Sequence, residues 1–254
     1  MIRNFLDRQC EKHHVFFETQ KEKEAWARKE KLFTSQKKKY SQLFELCYPK
    51  PDERWDYIES MVAKAFPSFG YLCLAHILEL GIFDTVITTN FDDLIFTACV
   101  DNLFKRPIVH SVNDFKSERF KLKERPRIYK IHGDYLVTDL KTTIADMADE
   151  DPNMTQRLSA VFEDCDGMVV IGYSGNDDSV MKLLDTFSKK KYLFWCTYGE
   201  EEIGKNVEDY LRKKDGRLVS TDGFEKVMNH IRNGLGIENK KSAGTDQTEK
   251  EKAA

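Results

Sequence analysis

The first third of the chain has a helical pattern. Charged and apolar stretches from Met1 to about Leu80 predict helices, with a Pro-rich joint at Tyr48-Pro49-Lys50-Pro51 and a second helical segment from about Asp52 to Phe66. The nearly all-apolar stretch Tyr71–Leu80 predicts a further helix. No strand is evident before residue 84, so we expect a helical segment at the start of the chain.

After residue 84, predicted strands and helices alternate. Thr85–Thr89 is β-branched throughout and predicts a buried parallel strand. The other predicted strands are Pro107–His110, Arg127–Ile131, Gly167–Gly172, Tyr192–Thr197 and Arg217–Ser220. This alternation predicts an α/β fold with a doubly wound, mostly parallel, Rossmann-like sheet that follows the N-terminal helical segment.

The helices between these strands show apolar stripes that face a sheet. We expect helices at about Asp92–Phe104 and Thr155–Asp164, and two more that begin near Asp177 and Gly223. The last two carry apolar residues at helical spacing: Val180, Leu183, Leu184 and Phe187, and then Phe224, Val227, Met228 and Ile231.

A length of 254 residues favours one main core. We expect a helical segment over residues 1–68 packed on that core, an α/β domain over 69–238, and a disordered tail over 239–254, which has no large apolar residue.

Composition narrows the class of protein. With 41% hydrophobic and 33% charged residues, the chain has enough apolar side chains for a core and a well solvated surface. No apolar run approaches the about 20 residues of a membrane helix, and the N-terminus does not resemble a secretory signal. We therefore expect a cytoplasmic protein with no membrane partner.

Cysteine spacing argues against a zinc-binding or disulfide-bonded protein, and net charge argues against a nucleic-acid-binding protein. The six cysteines are scattered without a C-x-x-C pair, which favours buried thiols over a zinc site or disulfides. A net charge of -3 makes a nucleic-acid partner an unfavoured hypothesis. The one basic run, KEKEAWARKEKLFTSQKKKY, alternates acids with lysines in its first half and is interpreted as a solvated helix face.

Polar residues follow three of the predicted strands, where ligands bind in open α/β sheets. These strand ends are Thr88–Asp93, His132–Asp134 and Tyr173–Asp178. Helix capping is an alternative explanation for the first and third, because Asn, Asp and Ser are favoured N-caps. His132 could equally be a structural histidine, although Gly133 after it permits close approach of a ligand or backbone.

In combination, the segments TTNFDDL, KIHGDY and IGYSGNDDSVMKLL resemble the sirtuin superfamily, and more specifically the sirtuin-like domains of prokaryotic NAD-depleting defence proteins. The likeness covers about Phe69 to Leu235. It implies that Asn90 positions the nicotinamide ribose and a water, and that His132 is the general base. It also implies an NAD-binding set, with Asp92 on the nicotinamide side and Gly172, Ser174 and Asn176 on the adenosine side: Thr89, Asp92, Asp93, Gly133, Gly172, Ser174, Gly175 and Asn176.

The resemblance implies that NAD is a substrate, cleaved to nicotinamide and ADP-ribose by an antiviral-defence effector. Breaking the N-glycosidic bond passes through an oxocarbenium-like ribose, which requires a placed nucleophile and a base of near-neutral pKa. An amide and an imidazole suit this chemistry. The alternatives are a catalytically inactive nucleotide-binding or oligomerisation module and an NAD-dependent protein deacylase. Possible partners are a second copy of the chain or another component of a defence system.

Two departures from the family pattern qualify these expectations. The zinc module of deacylating sirtuins has paired C-x-x-C motifs, which this chain lacks, so no zinc is expected and a deacylase is disfavoured. The Gly-Ala-Gly-x-Ser loop that binds the pyrophosphate is also not found, since the first glycine is Gly70. Either the chain is a fragment of a longer protein, which we favour, or its helical N-terminus replaces the loop.

Overall fold

Five helices precede the first strand, as the helical pattern predicts. The computed structural model describes residues 1–102, 106–111, 125–137, 140–143, 152–188, 191–200 and 202–237. The five helices are α1 (Ile2–Lys12), α2 (Gln20–Lys29), α3 (Lys39–Cys47), α4 (Pro51–Val62) and α5 (Phe69–Glu79). The Pro-rich joint separates α3 from α4, and Pro51 occupies the first turn of α4, where its missing N–H costs no hydrogen bond. The predicted tail 239–254 lies outside the described residues.

Strands and helices alternate from Thr85 onward. The strands are β1 (Thr85–Thr88), β2 (Ile108–His110), β3 (Arg127–Lys130), β4 (Gly167–Ile171), β5 (Tyr192–Tyr198) and β6 (Arg217–Thr221). The helices are α6 (Leu94–Asn102), α7 (Pro152–Asp164), α8 (Asp178–Asp185), α9 (Lys205–Lys214) and α10 (Phe224–Gly234), with a 3-10 turn at Tyr135–Val137. All six strands were predicted within two residues at each end, whereas α9 was not predicted.

All strand pairs are parallel, which confirms the predicted α/β class, but the strands form two three-stranded sheets. Their orders are β1-β3-β2 and β4-β5-β6. In the first sheet Thr88 lies opposite Lys130, so the chain segments that follow β1 and β3 leave the sheet side by side. Among the described residues, no backbone hydrogen bond links β1 to β4.

The two sheets nevertheless share both of their hydrophobic layers. Ile87 of β1 and Val170 of β4 pack against one core cluster, which contains the apolar faces of α7, α8 and α9. Val86 of β1 and Val169 of β4 pack against the opposite cluster, formed with α5, α6 and α10. The predicted stripes of α8 and α10 belong to these two clusters.

The expectation that Thr85–Thr89 forms a buried parallel strand is confirmed for the parallel strand and wrong for its burial. Every residue of β1 is only half-buried. The β-branched composition was a correct signal for a strand, but burial depends on neighbours on both edges, and β1 pairs with β3 alone in the described structure.

The N-terminal helices have a core of their own that reaches the α/β part. Phe5, Leu43, Phe44 and Ile58 are almost fully buried in it, and Phe91, which follows β1, belongs to the same cluster. The Trp55 indole Nε1 donates a hydrogen bond to the Tyr135 carbonyl oxygen at 2.8 Å. The helical segment is therefore fastened next to the loops that follow β1 and β3.

The predicted burial of the cysteines holds for five of the six, and Cys165 is half-buried. None of the helices that the structure describes is both long enough and apolar enough to cross a membrane.

Candidate functional site

Local hydrogen bonds shape the loop after β1. The Asn90 backbone N–H donates to Thr88 Oγ1 at 3.0 Å, and the Asn90 residue is exposed. Asp92 Oδ1 accepts the backbone N–H of Leu94 at 3.1 Å and so caps α6. Burial raises the pKa of Asp92, although that hydrogen bond and the nearby Lys130 oppose the rise.

A buried ammonium joins the loops that follow β1 and β3. Lys130 Nζ donates to the Phe91 carbonyl oxygen at 2.9 Å and lies 2.8 Å from Asp134 Oδ2. Both side chains of this ion pair are nearly inaccessible to solvent, and the Tyr135 N–H also donates to the Phe91 carbonyl at 3.2 Å. A buried pair with its hydrogen bonds satisfied fixes one arrangement of the two loops, and hence of Asn90 relative to His132.

His132 is the buried histidine at the end of β3, with 9% of its surface exposed. Its Nε2 lies 3.0 Å from Asp177 Oδ2, within ion-pair distance. Neither atom has a hydrogen bond of normal angular geometry with any described residue. The nearest polar partner of the imidazole Nε2 is therefore the Asp177 carboxylate.

The Asp177 carboxylate contacts the His132 imidazole and also caps a helix. Its Oδ1 accepts the backbone N–H groups of Ser179 at 2.8 Å and Val180 at 3.3 Å, and so caps α8. Burial acts to raise the pKa of Asp177, but the contact with His132 and these hydrogen bonds outweigh burial and lower the pKa to about 2. The Asp177 side chain is thus a carboxylate at neutral pH, fixed against the ring of His132.

The loops after β1, β3 and β4 open on one cavity of about 660 Å³, within the range of small-molecule sites. From the two sheets, its lining includes Thr89, Asn90, Asp92, His132, Tyr173, Ser174, Asn176 and Asp177. The cavity therefore bridges the two sheets at the carboxyl ends of their strands.

Six of the ten residues predicted for the site line this cavity. They are Thr89, Asn90, Asp92, His132, Ser174 and Asn176. The other four, Asp93, Gly133, Gly172 and Gly175, are not among its lining residues.

Two of these four have local contacts of a structural kind. Asp93 Oδ2 accepts the Thr97 hydroxyl at 3.3 Å within α6. Gly175 has a φ of +73° and leaves no room for a Cβ, which would lie 2.4 Å from Val207 Cγ2. Gly175 is therefore explained by backbone conformation and by close packing against α9.

The sequence analysis missed two contributions to the site. Asp177 was interpreted only as part of a capping segment, and nothing in one sequence shows that its carboxylate reaches His132. The other contribution is a wall from the N-terminal segment, formed by Met1, Ser35, Lys37, Lys38, Tyr40, Ser41 and Val62. The interpretation of residues 21–40 as a solvated helix face is correct for most of α2. Residues 35–38 are also exposed but lie between α2 and α3, and Lys39 is buried. Four residues of this stretch, Ser35, Lys37, Lys38 and Tyr40, line the cavity.

The comparison with protein families gives one finding. A family model described as SIR2-like domain matches residues 84–217, more than half of the chain. The matched region contains all three strand ends that line the cavity. Among curated proteins, none matches this chain.

Proposed function

We propose that this chain, which belongs to the SIR2-like domain family, hydrolyses NAD to nicotinamide and ADP-ribose. The observation that carries the proposal is the shared cavity of Asn90 and His132, in which a buried imidazole faces the same space as an exposed amide. Both residues follow parallel strands, where α/β folds bind their ligands.

In the proposed reaction, Asn90 holds the nicotinamide ribose and a water next to the glycosidic carbon. The bond from that carbon to the nicotinamide nitrogen breaks with its electron pair leaving on nicotinamide, and the water oxygen bonds to the carbon. His132 accepts the proton released from the water. Asp177, 3.0 Å from the ring, stabilises the imidazolium that forms and keeps the ring in place.

The far side of the cavity supports a substrate larger than a nucleoside. Ser174 and Asn176 line the cavity on the side of the second sheet, and Asn176 Nδ2 donates to Ser174 Oγ at 2.9 Å. These groups offer hydrogen bonds to the adenosine half, while Asn90 and His132 contact the nicotinamide half. A dinucleotide has the length to contact both sheets.

The test is nicotinamide release from NAD by the purified chain, followed by chromatography. Asn90→Ala and His132→Ala are each expected to lower turnover at least about 100-fold, the scale of a lost general base. The matched controls Asn233→Ala and His230→Ala replace exposed residues of α10 and are expected to retain activity. Turnover that persists in both cavity variants, or that is missing from a folded wild-type chain, contradicts the proposal.

A second candidate is a nucleotide-binding module without catalysis. It is favoured by one observation, the lack of a Gly-Ala-Gly loop in the sequence. Calorimetry with NAD and ADP-ribose separates the two candidates, because binding without nicotinamide release supports the module. Activity on an acyl-lysine peptide would instead support a deacylase.

The defence role follows from the resemblance and is part of the proposal. Cells that express the wild-type chain are expected to lose NAD on phage infection, while cells that express His132→Ala keep it. Measured NAD levels that do not differ between these two strains after infection contradict a role as an NAD-depleting effector.

A further inference from the structure

Two cavity-lining residues of the second sheet lie on either side of a buried glycine. Ser174 and Asn176 line the cavity and are exposed, whereas Gly175 between them is buried. Gly175 has a φ of +73°, a left-handed backbone conformation. The position of the Gly175 peptide therefore determines where both polar side chains lie in the cavity.

Helix α9, which does not line the cavity, holds this loop from its outer side. The Asn206 side-chain Nδ2 donates a hydrogen bond to the Gly175 carbonyl oxygen. No second hydrogen bond to this carbonyl is found among the residues that the structure describes. Because a buried carbonyl that loses its donor costs free energy, the Asn206 amide stabilises the present orientation of the Gly175 peptide.

A second glycine makes room for the Asn206 amide. Gly204 is the N-cap residue of α9, and a Cβ added to it would lie 2.7 Å from Asn206 Oδ1. A Cβ added to Gly175 would lie 3.3 Å from Asn206 Nδ2. The half-buried amide therefore fits between two residues without side chains, and this close packing restricts its orientation.

The loop from Tyr173 to Asp177 also has hydrogen bonds of its own. The Tyr173 hydroxyl donates to the Asp177 carbonyl oxygen at 3.1 Å, and Asn176 Nδ2 donates to Ser174 Oγ at 2.9 Å. These bonds join parts of the loop to one another, but neither of them involves Gly175. The link between Gly175 and the rest of the fold is made by α9.

We propose that Asn206 is a positioning residue, which holds Ser174 and Asn176 where they bind the adenosine half of the dinucleotide. This inference rests on the proposed function, since it names a residue that supports binding of the same substrate. Asn206 acts through the loop without contacting the substrate, and Asn90 and His132 follow strands of the other sheet. Loss of the Asn206 hydrogen bond is therefore expected to weaken substrate binding and to leave the chemical step unchanged.

The experiment compares matched variants of the full chain in nicotinamide release at a series of NAD concentrations. Asn206→Asp keeps the size of the side chain but replaces the amide with a carboxylate, which cannot donate to the Gly175 carbonyl. An acidic residue in the first turn of α9 is favourable, so the helix is expected to stay folded. Asn229→Asp makes the same substitution at a half-buried residue of α10 outside the cavity lining and is the control. Gly204→Ala retains the asparagine but crowds its amide, and thermal unfolding checks that each variant is folded.

Asn206→Asp is expected to raise the KM for NAD at least about tenfold relative to the control, a loss of about 1.4 kcal/mol, and to keep kcat within about twofold. Gly204→Ala is expected to raise KM in the same direction. An equal KM in Asn206→Asp and the control, or a fall in kcat at unchanged KM, overturns the positioning role and leaves the proposed function standing. A folded wild-type chain that releases no nicotinamide contradicts the proposed function. Calorimetry with ADP-ribose then tests the positioning role, because equal affinity in Asn206→Asp and the control, or no binding by the wild type, overturns it.

Discussion

Replacing Asp177 with Asn tests whether the carboxylate next to His132 stabilises the fold as its geometry implies. Asn keeps an oxygen that can accept the N–H groups of Ser179 and Val180, so the cap of α8 is retained. The variant therefore removes mainly the negative charge 3.0 Å from His132 Nε2. A fall in the pKa of Asp177 from its ordinary value of 3.8 to about 2 corresponds to a stabilisation of about 2 kcal/mol, and Asp177→Asn is expected to lose the part of it that the contact with His132 contributes.

The pH dependence of this stabilisation has a definite sign. A carboxylate whose pKa is lower in the folded state binds fewer protons there than in the unfolded state, so it stabilises the fold above the unfolded pKa. For Asp177 the full effect is present above about pH 5. The effect decreases as the pH falls through 4, about half of it remains at pH 3, and it is nearly lost at about pH 2.

Urea unfolding of the wild type and of Asp177→Asn at pH 7, 5, 4 and 3 measures this difference. Asp178→Asn is the matched control, because Asp178 is the next residue, has a 75% exposed side chain and pairs with Lys37 at the surface. An exposed pair contributes at most about 1 kcal/mol. Equal free energies of unfolding for the wild type and Asp177→Asn at pH 7, or a difference that does not shrink by pH 3, would refute the reasoning.

Two further substitutions test the scaffold of the site. Lys130→Met leaves the carboxylate of Asp134 buried without its partner, and thermal or urea unfolding is expected to show a loss of about 3 kcal/mol; a loss below about 1 kcal/mol would mean that the pair does not hold the two loops. Gly175→Ala is expected to cost about 3 kcal/mol, because its Cβ would lie 2.4 Å from Val207 Cγ2 at a φ of +73°. The control Gly81→Ala has nearly the same φ but open space around the new methyl group, and should cost only about 1 kcal/mol; equal losses in these two variants would exclude a packing role for Gly175.

Local patterns were sufficient to predict the elements of the α/β part. The β-branched run before Asn90 and the apolar stripe of α8 are properties of a few neighbouring residues, and both predictions are confirmed. The sequence of α9 has the same kind of stripe, although this helix was not predicted. Val207, Tyr210, Leu211 and Lys214 are buried at the spacing of one helix face.

The arrangement of the side chains in the site could be determined only from the tertiary structure. The sequence predicted that polar residues follow β1, β3 and β4, and the fold rule predicted that these ends lie together. The contact of Asp177 with His132 joins two residues 45 positions apart, and it depends on how the second sheet lies against the first. The contribution of the N-terminal segment around Lys38 to the cavity wall could not be predicted either. Charge patterning does not show which solvated residues line a cavity.

Because the strands form two sheets, a ligand in the cavity between them would change the free energy of unfolding. In the described structure, β1 and β4 exchange no backbone hydrogen bonds, so the sheets are joined by side-chain layers and by the polar contact of His132 with Asp177. A ligand that contacts Asn90 on one side and Ser174 on the other ties the halves together. By linkage it raises the free energy of unfolding by RT ln(1 + [L]/Kd), which is about 2.7 kcal/mol at 100 times Kd. A bound ligand would thus hold the two sheets together, and the melting temperature would rise as the cavity is filled.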